Sequence, residues 1–382
     1  MSTRVILKSG RERSVQFRHP WIFSGAVERV EGAAKEGDIV EVFSSAGKKL
    51  GFGYLGEKNI TVRMLSFGEQ EFTSSFWRTK LNGALLLRDE LGLINNSETS
   101  AYRIFNAEGD GVPGLVIDRY GDNAVVEIHS QGVWNDREII GQSLKELVTL
   151  KEIVFRSAGS FRGGAEEILP MEVPFIENGL KFRADIVSGQ KTGFFLDQRE
   201  NRKLVRSFAS GKRVLNAFAY SGGFSVNALI GGASFVHSVE LSKVALLRIE
   251  EHLRLNCCLT NHQSFAADCF KFLEVGDQNY DLIILDPPSF AKHRAAKSAA
   301  LRGYEALNAL GFKRAANNSF LFTFSCSLFV SREEFREAVY HAATQVGRTV
   351  QVISELQAGA DHPVNIYHRE GEYLKGLLLR IE

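Results

Sequence analysis

The chain has 382 residues, 44% of them apolar and 24% charged, proportions that exclude a disordered or fibrous protein and leave room for two or three domains of roughly 100–200 residues. Its 46 Lys and Arg against 45 Asp and Glu leave a net charge of +1, so any nucleic-acid site has to be a local patch rather than a global field. The four cysteines, Cys257, Cys258, Cys269 and Cys326, form no paired Cys-x-x-Cys element, so no metal and no disulfide framework are expected; no stretch of about 20 residues is apolar enough to span a bilayer, and a cytoplasmic protein with reduced thiols and no membrane partner is expected.

Short β-type runs at Arg4 to Lys8, Asp38 to Phe43 and Ile60 to Leu65, punctuated by Gly10, Gly37, Gly47 and Gly51, predict a small all-β module. A helix is predicted from Phe76, with Leu81, Leu85, Leu86 and Leu91 at helical spacing before Gly92. Strands at Tyr102 to Ala107, Gly114 to Asp118 and Ala124 to His129 follow, then a helix over Asp136 to Leu150. From about residue 185 helices and buried strands alternate: helix Asp197 to Ala209, strand Arg213 to Ala217, helix Gly223 to Ile230, strand Ser234 to Glu240, helix Ser242 to Asn256, strand Gln263 to Ala266, helix Cys269 to Val275, strand Tyr280 to Leu285, helix Ala299 to Asn317 and strand Ser319 to Ser325. Such alternation implies a parallel α/β sheet covered on both faces, with ligands at the carboxyl ends of its strands. The texture divides the chain into 1–72, 73–184 and 185–382.

Asn216-Ala217-Phe218-Ala219-Tyr220-Ser221-Gly222-Gly223-Phe224 sits where a buried strand turns into a helix. Adjacent glycines let backbone approach a ligand, and the helix start directs N–H groups at it. The next strand ends at Glu240, where a carboxylate accepts the hydroxyls of a ribose; either feature alone is also an ordinary turn or helix cap. A nicotinamide site calls for G-x-G-x-x-G, which is lacking, whereas S-adenosylmethionine carries no pyrophosphate and needs no such pattern. Asp268 is a candidate partner for an adenine amino group and equally an N-cap for the run starting at Cys269.

The strand Tyr280 to Leu285 ends in Asp286-Pro287-Pro288-Ser289-Phe290. Two prolines stiffen the exit from the sheet and remove N–H donors, so carbonyls are left to face a substrate, and an aromatic follows that can stack on a flat base. Ser289 separates Phe290 from Pro288, which counts against methylation of an exocyclic nitrogen. A third strand runs through Phe320-Leu321-Phe322-Thr323-Phe324-Ser325 into Cys326. A cysteine there is either buried filler or, beside the Asp286 turn, a thiolate that adds to C6 of a pyrimidine so that C5 takes a methyl group. Lys292, Arg294, Lys297 and Arg302 have no acidic residue among them and read either as a phosphate-binding patch or as a solvated loop. Arg4, Lys8, Arg11, Arg13, Arg18 and Arg29 outnumber Glu12 and Glu28 in the first module, which suggests RNA binding. Lone histidines such as His252 are expected at the surface.

With His19-Pro20-Trp21-Ile22-Phe23-Ser24-Gly25-Ala26, Asn106 to Leu115, Lys191 to Arg199, Asp286 to Phe290, Ser325-Cys326-Ser327, Asp361-His362-Pro363 and Glu372-Tyr373-Leu374-Lys375-Gly376, the chain resembles the bacterial large-subunit rRNA cytosine-C5 methyltransferases of the RlmI type along essentially its whole length. It departs from them after the cysteine, where members often carry histidine and this chain reads Leu328-Phe329. The resemblance implies a PUA domain (1–72), a small central α/β domain (73–184) and a Rossmann-like methyltransferase domain (185–382). It also implies 23S rRNA or a large-subunit precursor as partner, with Cys326 matching the family's nucleophile. The expected site is then Cys326 and Asp286 for catalysis, with S-adenosylmethionine held by Gln198, Asn216, Phe218, Tyr220, Ser221, Gly222, Glu240, Leu241, Asp268 and Cys269. Substrate contacts are expected from Pro287, Pro288, Phe290, Lys292, Arg294 and Lys297. Guanine ring-nitrogen methylation and a non-catalytic RNA-binding assembly factor stay open as alternatives; so do the C5 proton-abstracting base and the oligomeric state, a homodimer included.

Overall fold

A computed structural model of the chain describes residues 3–56, 59–158 and 171–382. Two compact units emerge: Met1–Ile176 with Arg183–Leu196 and Ala360–Gly371, and Glu177–Phe182 with Asp197–Gly359 and Glu372–Glu382.

In the first unit, period-two apolar patterning builds a six-stranded sheet in the order Trp21–Phe23, Ile60–Phe67, Lys49–Leu55, Ile39–Phe43, Arg4–Leu7, Val27–Glu31. Neighbours are antiparallel except Arg4–Leu7 beside Ile39–Phe43. Val5, Leu7, Val40, Val42, Val62 and Met64 alternate along their strands and close into one small core, as sheets with one buried face do. The module is not purely β, because a one-turn helix spans Arg13–Gln16.

Helices Phe76–Glu90 and Arg137–Leu147 pack with a four-stranded sheet ordered Glu152–Ser157, Asn123–Ile128, Leu115–Tyr120, Ala101–Asn106. Asp136 joins these pieces, accepting from Tyr54 Oη at 2.5 Å and Trp77 Nε1 at 2.8 Å. Arg88 grips Asp110 at 2.7 and 2.8 Å, and Arg103 grips Asp118 at 2.7 and 2.9 Å. All four side chains are almost fully buried, so removing either carboxylate leaves an uncompensated charge, a loss of about 3–5 kcal/mol. Arg88 also donates to the Asp361 carbonyl at 2.7 Å, which fixes residues 360–371 in this unit.

The second unit is a seven-stranded sheet of β1 (Arg213–Ala217), β2 (Phe235–Glu240), β3 (His262–Ala266), β4 (Tyr280–Leu285), β5 (Ala315–Ser325), β6 (Val350–Gln357) and β7 (Lys375–Ile381), in the order β3-β2-β1-β4-β5-β7-β6. Helices α1 (Arg199–Phe208), α2 (Gly223–Ile230), α3 (Lys243–Leu255), α4 (Cys269–Val275), α5 (Lys297–Arg314) and α6 (Arg332–Val346) connect them. Alternate residues of the buried strands serve opposite faces. Leu215, Ile283, Leu285 and Leu321 pack with α4, α5 and α6, while Val214, Leu282, Ile284, Phe322 and Phe324 pack with α1 and α2.

Three expectations are corrected here. The sheet is not wholly parallel: α6 carries the chain past one position to β6, and β7 fills the vacant slot from the other side, antiparallel to both β5 and β6. The helix expected at Ala299 to Asn317 runs Lys297–Arg314, because Ala315 already pairs with Tyr280. His252 is not a surface residue. It is fully buried, with its ring 5.2 Å from Phe182 and Nδ1 donating to the Ser221 carbonyl at 2.7 Å.

Candidate active site

Every residue expected in the site belongs to the second unit, most of them along or just beyond the carboxyl ends of β1, β2, β3, β4 and β5, with Gln198 in the turn before α1 and Lys297 at the start of α5. Beyond β1 the backbone is left-handed at Phe218 (φ 60°), Tyr220 (φ 46°) and Gly222 (φ 79°). Such conformations cost non-glycine residues on the order of 1–2 kcal/mol and concentrate at ligand sites. At Gly222 a Cβ would also stand 3.0 Å from Ile249, so packing and φ both require glycine. Glu240, at the end of β2, fastens this loop: Tyr220 N donates to Oε2 and Ser242 N to Oε1, each at 2.9 Å. Each oxygen keeps further acceptor capacity.

Asn216 is fully buried, and its Nδ2 donates to Ser225 Oγ at 2.8 Å. From there a chain runs through Ser238 Oγ (2.7 Å) to His262 Nε2 (2.7 Å). Burial holds the His262 pKa down to about 4, with the neighbouring His237 adding to it, so this end of the chain is a neutral imidazole. Ser225, Ser238 and His262 lie far apart in the sequence and match no motif; only the fold brings them together. Asn216 Oδ1, Ser221 Oγ and Gln198 Nε2 are buried without a hydrogen-bond partner. Buried polar atoms are rarely left so; Asn216 Oδ1 and Ser221 Oγ, at the end of β1 and in the loop that follows, can pair with a polar ligand, while Gln198 Nε2 stands before α1.

Asp268 caps α4, accepting from Lys271 N at 3.0 Å. Cys269 accepts from Phe218 N at 3.1 Å, and burial pushes its thiol up to about 12, which makes it a packing group beside the loop. Leu241 is 71% exposed just past β2.

On the other side of β1, Asp286 is half-buried after β4, Pro287 is buried and Pro288 is exposed. Cys326 follows β5, half-buried, its Sγ donating to the Pro287 carbonyl at 3.8 Å. Ser289 Oγ and Ser327 Oγ both donate to the Ala291 carbonyl, at 3.1 and 3.3 Å, tying the two loops together. The Phe290 ring lies 4.7 Å from Tyr304 and 6.1 Å from Phe270, so much of it faces α4 and α5. Lys292 and Arg294 are exposed. Lys297 begins α5, with Nζ 2.5 Å from Glu334 of α6, an ion pair that holds the Glu334 carboxyl low. The basic segment is therefore a loop only at its start, then a 3-10 turn at Arg294–Ala296, then helix. Among the described residues no group of three His, Cys, Asp or Glu is placed to hold a metal, and no helix is long and apolar enough to cross a membrane.

Residues 5–67 match the PUA-like domain family and residues 153–304 the S-adenosylmethionine-dependent methyltransferase family. Over the full length of both chains, the protein is 40% identical to ribosomal RNA large subunit methyltransferase I of Aeromonas salmonicida and 36% identical to the protein of that name from Escherichia coli strain HS. Among solved structures, a methyltransferase complexed with SAH aligns over 100% of both chains with a TM-score of 0.84 and 25% identity.

Proposed function

The chain belongs to the ribosomal RNA large subunit methyltransferase I family, an S-adenosylmethionine-dependent enzyme of large-subunit rRNA, and from that premise we propose that it methylates C5 of a cytosine in 23S rRNA through a covalent bond from Cys326. The observation that carries this reading is the Cys326 thiol at the Pro287 carbonyl, 3.8 Å away. That contact sets the thiol we read as the nucleophile beside the turn that begins at Asp286.

The unsatisfied atoms of Asn216, Ser221 and Gln198 suit the polar groups of S-adenosylmethionine. Glu240 is assigned to its ribose hydroxyls, Asp268 to its adenine, and Phe218, Tyr220, Gly222, Leu241 and Cys269 to the wall around it. When bound, the cofactor supplies an electrophilic methyl group for C5 to capture. C5 of cytosine is a poor nucleophile until Cys326 acts. The thiolate forms an S–C6 bond as the C5–C6 π bond breaks, and the electron pair moves onto C5. Once C5 is methylated, a base removes its proton, the C–H electron pair restores the C5–C6 double bond, and the S–C6 bond breaks to return the thiolate. Asp286 is assigned to the polar edge of the base, where the two prolines leave no competing N–H. Phe290 borders the pocket, and exposed Lys292 and Arg294, with Lys297, are assigned to phosphates. The PUA-like module is assigned to RNA binding as well, with Arg4, Lys8, Arg11, Arg13 and Arg18 as its basic residues. Work on rRNA points to the cytoplasm, and we take 1–72, 73–184 and 185–382 as the domains along the sequence, although residues 183–196 and 360–371 pack into the first compact unit.

The test is mass spectrometry of 23S rRNA lacking the modification after incubation with purified protein. 5-Methylcytidine is expected with the natural chain and none with Cys326→Ala. A methylguanosine product, or undiminished 5-methylcytidine from the variant, overturns the reading.

A further inference from the structure

β7 enters the sheet with Lys375 opposite Ser325, the residue before Cys326. Lysine is among the side chains least often buried, yet Lys375 is only 3% exposed. Its Nζ donates to the carbonyl oxygens of Ser327 at 2.6 Å and Val330 at 2.5 Å, both in the turn that follows Cys326. Around the ammonium stand Arg332 and Glu334 of α6, the latter paired with Lys297, and Glu372 before β7, while Tyr304 of α5 stands by both Cys326 and Asp286.

We propose that Lys375 is a positioning residue for the nucleophile: its ammonium pins the Ser327–Val330 turn by two carbonyls and supplies positive charge that favours ionisation of the Cys326 thiol as it leaves the Pro287 carbonyl. This rests on the reading of Cys326 as the nucleophile. An ordinary thiol is only a few per cent ionised near pH 7 and is activated by a nearby cation. Burial holds Lys375 down to about 8, with Cys326 and the two glutamates pulling upward and Arg332 downward, so it stays mostly protonated at neutral pH. Carbonyl acceptors serve this role better than a carboxylate, because they hold the ammonium without cancelling its charge. Lys375 touches no reacting atom and acts through Cys326.

The experiment is the pH dependence of Cys326 alkylation by iodoacetamide in the full chain without cofactor or RNA, read peptide by peptide in the mass spectrometer. Exposed Cys257 is the internal reference. In the natural chain Cys326 is expected to half-label about one pH unit below Cys257. Lys375→Gln keeps amide donors for the two carbonyls but loses the charge, and is expected to raise the Cys326 midpoint by about one unit while leaving Cys257 unmoved; Lys375→Arg is expected to keep the low midpoint. Methylation by Lys375→Gln should fall about tenfold at pH 7 and recover as the pH rises. A Lys375→Gln midpoint equal to that of the natural chain overturns the proposal. If that variant fails to fold, a natural-chain midpoint at or above that of Cys257 overturns it equally. The labelling does not depend on catalysis, so a fully active Cys326→Ala would refute the nucleophile reading separately.

Discussion

The two sides of β1 are built on different principles. Beyond β1 and β2 backbone and neutral groups are fastened by one carboxylate, Glu240: three left-handed residues, a buried amide linked through Ser225 and Ser238 to a neutral His262, and the unsatisfied Asn216 Oδ1 and Ser221 Oγ. Beyond β4 and β5 the groups are ionisable: Asp286, Cys326 and Lys375, with Tyr304 behind them. The two cysteines make the contrast plain. Cys269 lies among apolar neighbours with Glu240 and Asp268 beyond, and its thiol is pushed up to about 12; Cys326 has a buried ammonium near it. One side is suited to binding, the other to moving charge; the cysteine on the first is held as a thiol, and the nucleophile we propose lies on the second.

The largest effect expected from separating the sides is at Glu240. Glu240→Ala removes both the proposed ribose acceptor and the partner of two backbone N–H groups, and should weaken S-adenosylmethionine binding by about 1–3 kcal/mol in calorimetry, with Cys326 alkylation unchanged. Equal affinity in a folded variant breaks the assignment.

A second effect is on stability. Folded His262 binds its proton only near pH 4, the unfolded residue near 6.5. Between those values the unfolded state holds more protons, so stability rises with pH and is lost as pH falls from 6.5 toward 4. Allowing for partial exposure, about 1–3 kcal/mol is expected. Urea titrations across this range should show a shallower slope for His262→Gln than for the natural chain.

The smallest effect is on RNA. Replacing Lys292 and Arg294 by alanine should lower the log–log salt slope of RNA binding by about 0.7–0.9 per lost phosphate contact. Lys297→Ala should do less, because Glu334 already pairs with that lysine. An unchanged slope in the double variant returns Lys292 and Arg294 to solvated surface.

Much of this architecture is legible in the sequence where local signals agree. Strands 213–217 and 280–285 and helices 223–230 and 269–275 are read to the residue, because apolar runs end at glycine, proline or a capping aspartate. Beyond Ser325 the predicted elements stop short of signals that are present for α6, the Ser331–Glu334 capping box at its start and Gly347 at its end, whereas several β6 residues are solvent-exposed despite a strand pattern. With β7 missed, Lys375 is visible only as part of a family-like segment, and lysine is ordinarily a surface residue. His252 fails for a related reason: helical spacing does not say which face meets a neighbour. The hydrogen-bond chain from Asn216 to His262 is purely tertiary, so no spacing in the sequence foretells it.

The most direct test of the central claim uses RNA carrying 5-fluorocytidine at the target. Fluorine at C5 cannot leave as a proton does, so the S–C6 bond persists and the chain should appear as a covalent RNA adduct in denaturing electrophoresis. Cys257→Ala, Cys258→Ala and Cys269→Ala should still form that adduct, and Cys326→Ala should not. An adduct that survives in Cys326→Ala, or none from the natural chain while it methylates cytosine normally, contradicts the covalent mechanism.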